Sequence, residues 1–241
     1  MARVRLFVEH PLGAGQPVPL SREAAHYLFG VMRLAEGATL AVFNGEDGEW
    51  AARVVEAGKK GGTLEAVERT APQWAPPDLW LLFAPVKKAR TDFIVEKAVE
   101  MGVRRLVPVA TEHTNSERIR RDRLQAHARE AAEQCGAVFV PEVADLARLA
   151  DTLAAWPEAR RIMFCDEGAA GAAGIPERAP DEPGPWAILI GPEGGFSEAE
   201  RSRLRAMPQA WVTALGPRIL RADTAAVAAL TLWQSRLGDW R

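Results

Sequence analysis

The chain has 241 residues, 48% of them hydrophobic and 26% charged, a globular composition with enough length for a sizeable core in one domain or two. A formal net charge of −2 excludes a protein drawn to nucleic acid by its overall field, so any such binding needs a local patch. Cys135 and Cys165, the only cysteines, form no C-x-x-C and suggest neither a disulfide framework nor a zinc site, which points to a reducing cytosol; no secretory leader is read at the N-terminus and no apolar run is long enough to span a bilayer.

Residues 3–70 read as β-rich. Val4–Glu9, Thr39–Asn44, Glu49–Glu56 and Thr63–Arg69 alternate partly and are strand candidates, with Gly45-Glu46-Asp47-Gly48 as the turn between the middle two. One helix interrupts them: Ser21 caps Arg22–Met32, and Gly37 follows. Many short strands with one helix predict a small barrel. Arg3, Arg5, His26 and Arg33 fall near its helix and first strand, a set that composition alone explains as a solvated face. The run APQWAPPD at 71–78 is the linker, because Pro72, Pro76 and Pro77 disfavour both helix and central strand.

From Leu79 the grammar changes to a sheet with helices, occupying 79–241. Leu79–Ala84 reads as a strand, followed by the basic loop Pro85-Val86-Lys87-Lys88-Ala89-Arg90. Thr91 is the expected cap of a helix ending before Gly102, with Ile94, Val95, Ala98 and Met101 on its apolar face. A strand at Arg105–Ala110, a charged helix at Glu117–Gln134, a strand at Val138–Val140, a helix at Asp145–Ala155 and a strand at Arg161–Asp166 continue the alternation. A long Gly/Ala/Pro loop fills 167–185. Strands alternating with helices imply a mostly parallel sheet covered on both faces.

The most informative stretch is 186–224. Two apolar runs, Trp186–Ile190 and Ala210–Leu215, end in Gly191-Pro192-Glu193-Gly194-Gly195 and Gly216-Pro217-Arg218. Ser197 and Glu200 form a capping box for a helix over Glu198–Met207, and Asp223 or Thr224 is placed to cap the Ala-rich segment after it. Ligands of open α/β sheets sit beyond the carboxyl ends of strands, where bare backbone admits close approach. The two loops are therefore expected side by side, with Lys87, Lys88, Arg90, Arg218 and Arg221 at the same edge and phosphate as their partner. No phosphate-loop, dinucleotide-binding or nucleophile-elbow motif occurs, and His10, His26, His113 and His127 have no metal-ligand spacing. A cosubstrate held mainly by backbone remains, beside the alternatives of a non-catalytic RNA-binding module and a nucleotide-using hydrolase.

The two loops, read as Leu189–Ser197 and Leu215–Ala225, together resemble those of the bacterial 16S ribosomal RNA uridine-N3 methyltransferases, S-adenosylmethionine enzymes of the SPOUT class. The resemblance runs through Lys87–Arg90, Glu96-Lys97-x-x-Glu100-x-Gly102-Val103 and Glu133-Gln134-Cys135-Gly136, and into a PUA-like N-terminal barrel with Arg5-x-Phe7-Val8 and His26-Tyr27-Leu28. Departures stand at Asp223, where the family has Glu, at Ala137, where it has Arg, and at Thr111-Glu112-His113-Thr114, where it has Thr-Glu-Arg-Ser.

The resemblance implies a trefoil-knotted C-terminal domain, a homodimer, and a methyl donor enclosed by the two Gly-Pro loops and the loop after Cys165. Leu189, Ile190, Leu215, Ile219 and Leu220 would form its apolar cleft, with backbone at Gly191, Gly194 and Gly216 and with Thr224 nearby. Arg221, then Arg218, are the candidates to stabilise a uracil anion; Asp223, Glu193 and His113 stay open as proton acceptors. Arg5, His26, Arg33, Lys87, Lys88 and Arg90 are the expected contacts to 16S RNA of the small ribosomal subunit, and a different RNA target is the alternative within the same class.

Overall fold

The computed structural model describes residues 4–58, 60–115, 118–169 and 184–240. Arg3, Glu117 and most of the 167–185 loop lie outside them. The chain forms two compact units, residues 1–75 with 132–140, and residues 76–131 with 141–241.

The first unit holds β1 (Arg5–Phe7), β2 (Pro17–Leu20), β3 (Thr39–Phe43), β4 (Glu49–Ala57) and β5 (Gly62–Ala71), ordered β1-β3-β4-β5-β2. β1 pairs parallel to β3 and the other pairs are antiparallel, with three irregularities between β4 and β5 that bend the sheet. Val18, Leu28, Leu40, Val42, Ala52, Leu64 and Ala66 fill its core. β2 is an unexpected strand, since it carries Pro17 and Pro19. It lies at the sheet edge, and Gln16 O accepts from Ala66 N, so the even-numbered residues bond β5 and both prolines turn their missing N–H outward. Ser21 caps α1 (Arg22–Ala25), its side chain accepting from Ala24 N, but from His26 to Val31 the helix widens into a π-helix. Arg33 then takes a left-handed backbone, φ 55°.

In the second unit, β6 (Leu79–Phe83), α2 (Lys88–Glu100), β7 (Arg105–Ala110), α3 (Arg121–Cys135), β8 (Glu142–Val143), β9 (Ala147–Arg148), α4 (Leu149–Ala154), β10 (Arg161–Cys165), β11 (Trp186–Ile190), α5 (Glu198–Ala206), β12 (Ala210–Thr213) and α6 (Ala222–Arg236) follow in order. The end of α3 clusters with the first unit. The sheet runs β12-β10-β11-β6-β7-β8, parallel throughout, and β9 extends β7. β11 is thus inserted between β6 and β10, two strands that precede it in the chain. Its five residues are all buried, which is why it reads as an unbroken apolar run.

Side chains alternate across the sheet. Leu82, Leu189 and Phe164 meet Leu149 and Leu153 of α4, Leu204 of α5 and Phe196 on one face. Ile188 and Ile190, one residue out of step with Leu189, turn to the other face. α6 is tied to the end of α2 by buried Gln234, whose amide donates to Met101 O at 2.6 Å.

Several local expectations are corrected. Val138–Val140 is not a strand; past α3 the chain pairs with β7 at Glu142–Val143 and again at Ala147–Arg148. Helix α4 begins at Leu149, not Asp145. Thr91 lies inside α2, donating to Val86 O and accepting from Val86 N, while Lys87 occupies the cap. Arg221 caps α6, and Asp223 only accepts from Thr224 N. The capping box at Ser197 and Glu200 is present in full.

Candidate active site

β11 and β12 are not neighbours, because β10 runs between them. The loops that follow all three strands, with the start of α6, enclose one cavity of about 360 Å³. Ile190, Gly191, Pro192 and Glu193 form one wall, Cys165, Asp166 and Glu167 another, and Thr213 with the 215–221 loop a third. Ala222 and Ala225, one turn apart on α6, close it.

Of the residues expected around a cosubstrate, Ile190, Gly191, Leu215, Gly216, Ile219 and Leu220 line this cavity. Leu189 does not: alternation turns it to the opposite face, where it is fully buried beside Phe196. Thr224 is exposed and off the helix face that Ala222 and Ala225 present. Gly194 stands outside as well, its carbonyl oxygen 3.1 Å from His113 Nδ1. Arg218 and Arg221 line the cavity, are exposed, and have no protein partner among the described residues.

Asp223 is held elsewhere. Arg90 pairs with Glu193 and lies 3.8 Å from an Asp223 oxygen, so one guanidinium serves two carboxylates. Lys87 and Lys88 are free of such pairing among the described residues and line a second cavity of about 300 Å³, with His113, Asn115, Pro192 and Glu193. Pro192 and Glu193 border both cavities.

The acidic wall is braced from behind, which sequence reading missed. The Asp166 carboxylate is fully buried and accepts from Arg201 Nε (3.1 Å), Arg205 Nη2 (2.7 Å) and Gly168 N (2.9 Å). Glu167 accepts from Arg201 and from Phe196 N, joining the loop after β10 to the loop after β11. Arg201 and Arg205 are four residues apart on α5, hence on one face. Gly195 makes the junction possible: its φ is +68°, and a Cβ there would collide with a Glu167 carboxylate oxygen. The signal present in the sequence was an Asp-Glu pair just after a strand, but its arginines lie 34 to 39 residues away. Burial pushes the neighbouring Cys165 thiol up to about 12, so it lines the cavity as a small apolar group.

In the first unit, Arg5 is spent on structure. Its Nε donates to Glu49, and its other nitrogens donate to the carbonyls of Ala132, Glu133 and Ala137, with the guanidinium 4.6 Å from the Phe43 ring centroid. Arg5, expected to contact RNA, is thus bonded four times within this unit. His26 and Arg33 are exposed and unpaired among the described residues.

The profile of RNA methyltransferase domains matches residues 74–234, about two thirds of the chain, and that of RNA methyltransferase PUA domains matches 20–67. The chain belongs to the RNA methyltransferase family. Among curated members it is similar to ribosomal RNA small subunit methyltransferase E of Rickettsia conorii, 25% identical over 94% of this chain and 93% of that one. The Bacillus subtilis protein of that name is 27% identical over 88% and 87%. Among solved structures, the Neisseria gonorrhoeae ribosomal RNA small subunit methyltransferase E bound to S-adenosylmethionine superposes with a TM-score of 0.90, at 25% identity, over 99% of this methyltransferase-family chain and all of the other. A Legionella pneumophila putative methyltransferase with the same bound cofactor gives 0.88 at 28% identity, over 99% and 100%. Among the described residues of this family member, no helix is long and apolar enough to cross a membrane.

Proposed function

We propose that the protein transfers the methyl group of S-adenosylmethionine to ring nitrogen 3 of a uridine in 16S ribosomal RNA of the small ribosomal subunit. The observation that carries this reading is the cavity bounded by the loops after β10, β11 and β12 in a chain of this family. Its size lies within the range of small-molecule sites. Ile190, Leu215 and Leu220 offer apolar surface to an adenine, and the main chain at Gly191 and Gly216 offers donors and acceptors to its edge. Arg221 and Arg218 are the unpaired cations that stabilise the uracil anion as its proton leaves.

The domain of residues 1–70 is the RNA-binding module in this proposal and 79–241 the transfer module. His26 and Arg33 in the first hold RNA phosphates, and Lys87 and Lys88 in the second hold the target nucleotide, so affinity falls steeply with salt. The target uridine leaves its stack to reach the bound donor. A second copy of the chain completes the working enzyme, packing on Ile219, which is 76% exposed, and on the Ala-rich α6.

The deciding experiment incubates the protein with labelled S-adenosylmethionine and undermodified small subunits, then locates label by mass spectrometry of the digested RNA. Label at one uridine N3 supports the reading. Calorimetry with the donor alone separates the rival: an RNA-binding module without catalysis binds no donor.

A further inference from the structure

We propose that the second cavity, lined by Lys87, Lys88, His113, Asn115, Pro192 and Glu193, receives the target base, and that His113 Nε2 accepts the proton of its ring nitrogen 3. This rests on the methyltransferase reading and deepens it.

The cavity adjoins the donor cavity, as a methyl acceptor's site has to, through the shared residues Pro192 and Glu193. His113 is oriented by a contact that fixes its tautomer. Nδ1 stands 3.1 Å from Gly194 O, and a carbonyl oxygen only accepts, so Nδ1 carries the hydrogen and the neutral ring keeps its lone pair on Nε2. Gly194 permits this approach, since a Cβ there would press on His113 Cβ at 3.2 Å. Among the described residues Nε2, the Asn115 amide and both lysine ammoniums have no protein partner.

That set complements uracil. The base presents a donor, N3–H, between two acceptor carbonyls. The cavity presents the Nε2 lone pair as an acceptor beside the donors of Lys87, Lys88 and the Asn115 amide nitrogen. Cytosine places a lone pair at N3, which would face the Nε2 lone pair and be rejected. The rival acceptors, Glu193 and Asp223, share Arg90. His113 is therefore the acceptor still open.

The step balances. The N3–C bond forms as the sulfonium S–C bond breaks, leaving its electron pair on sulfur as a thioether; the N3 proton passes to Nε2, and the imidazolium later releases it to solvent. The charged groups facing His113 in the cavity are Lys87, Lys88 and Glu193.

His113→Asn tests this, because its amide can still donate to Gly194 O but supplies no imidazole. Expected are unchanged donor affinity by calorimetry and a rate on uridine lower by about 10²-fold. RNA transcribed with 5-fluorouridine, whose N3–H is more acidic, recovers much of the rate. Without donor, the wild type prefers uridine over cytidine at the target and the variant does not. A variant with the wild-type rate overturns the proposal and leaves the methyltransferase reading standing. Equal losses on both bases together with weakened donor binding also overturn it, marking a structural role. A wild-type protein that methylates no uridine sinks both.

Discussion

Replacing Arg201 by alanine removes the brace behind the donor cavity without touching the cavity itself. The change deletes one bond to the fully buried Asp166 carboxylate and one to Glu167. Removing one partner of a buried pair costs about 3–5 kcal/mol. Asp166 keeps Arg205 at 2.7 Å and Gly168 N at 2.9 Å, and Arg201 is itself 22% exposed, so the loss falls below that range, at roughly 2–3 kcal/mol. For a unit of this size that lowers the melting temperature by roughly 4–12 °C. Glu167 then holds Phe196 N alone, and the loop after β10 must be reordered by the donor. An ordering cost of about 1.4 kcal/mol weakens donor affinity about tenfold. Scanning calorimetry and titration calorimetry read the two effects, and Arg201→Lys recovers part of each. An alanine variant that melts with the wild type and binds donor equally well would falsify the claim that this ion cluster sets the cavity wall.

Four further outcomes are expected. Arg221→Ala lowers the methyl-transfer rate by about 10²–10³-fold while donor titrations stay unchanged, as removal of a transition-state charge partner does. Gly195→Ala costs at least about 1–2 kcal/mol from its left-handed backbone alone, plus the collision with Glu167, and is checked by denaturant melts and donor affinity. Arg5→Ala leaves the carbonyls of Ala132, Glu133 and Ala137 without that donor, and hydrogen exchange should accelerate across 132–140 while donor affinity holds. Cys165, raised from 9.0 to about 12 in the folded state, stabilises fully below the ordinary thiol value; that contribution is lost as pH rises from 9.0 towards 12, so stability of Cys165→Ala should fall less steeply there.

Sequence reading located the strands at Arg105–Ala110 and Trp186–Ile190 to the residue, because each is a short apolar run with abrupt ends. It located α5 through its capping box, a signal contained within four residues. It missed β2, because prolines that exclude a central strand are harmless at an edge facing solvent. It missed the π-helix at His26–Val31, which has the composition of an ordinary helix.

At the candidate site, the loops were legible from glycine and proline, and the cavity does lie there. Their assembly was not. β10 intervenes between β11 and β12, and which face Leu189 or Ile190 presents depends on the sheet's neighbours. The pairing of Arg90 with Glu193 joins residues 103 apart, and Arg5 reaches carbonyls more than 120 residues away. Distance in sequence hides such partners, and with them the difference between an arginine that is free and one already engaged.

The placement of β11 between two earlier strands bears on how the protein is made. While residues 79–165 emerge from a ribosome, β6 and β10 have no common neighbour, and the gap waits for Trp186–Ile190. A chain stalled before that point holds every lysine of the basic loop and Asp166, yet lacks the plank that sets them at the same edge. Competence therefore comes late and all at once, a slow closure dominated by contacts between distant segments.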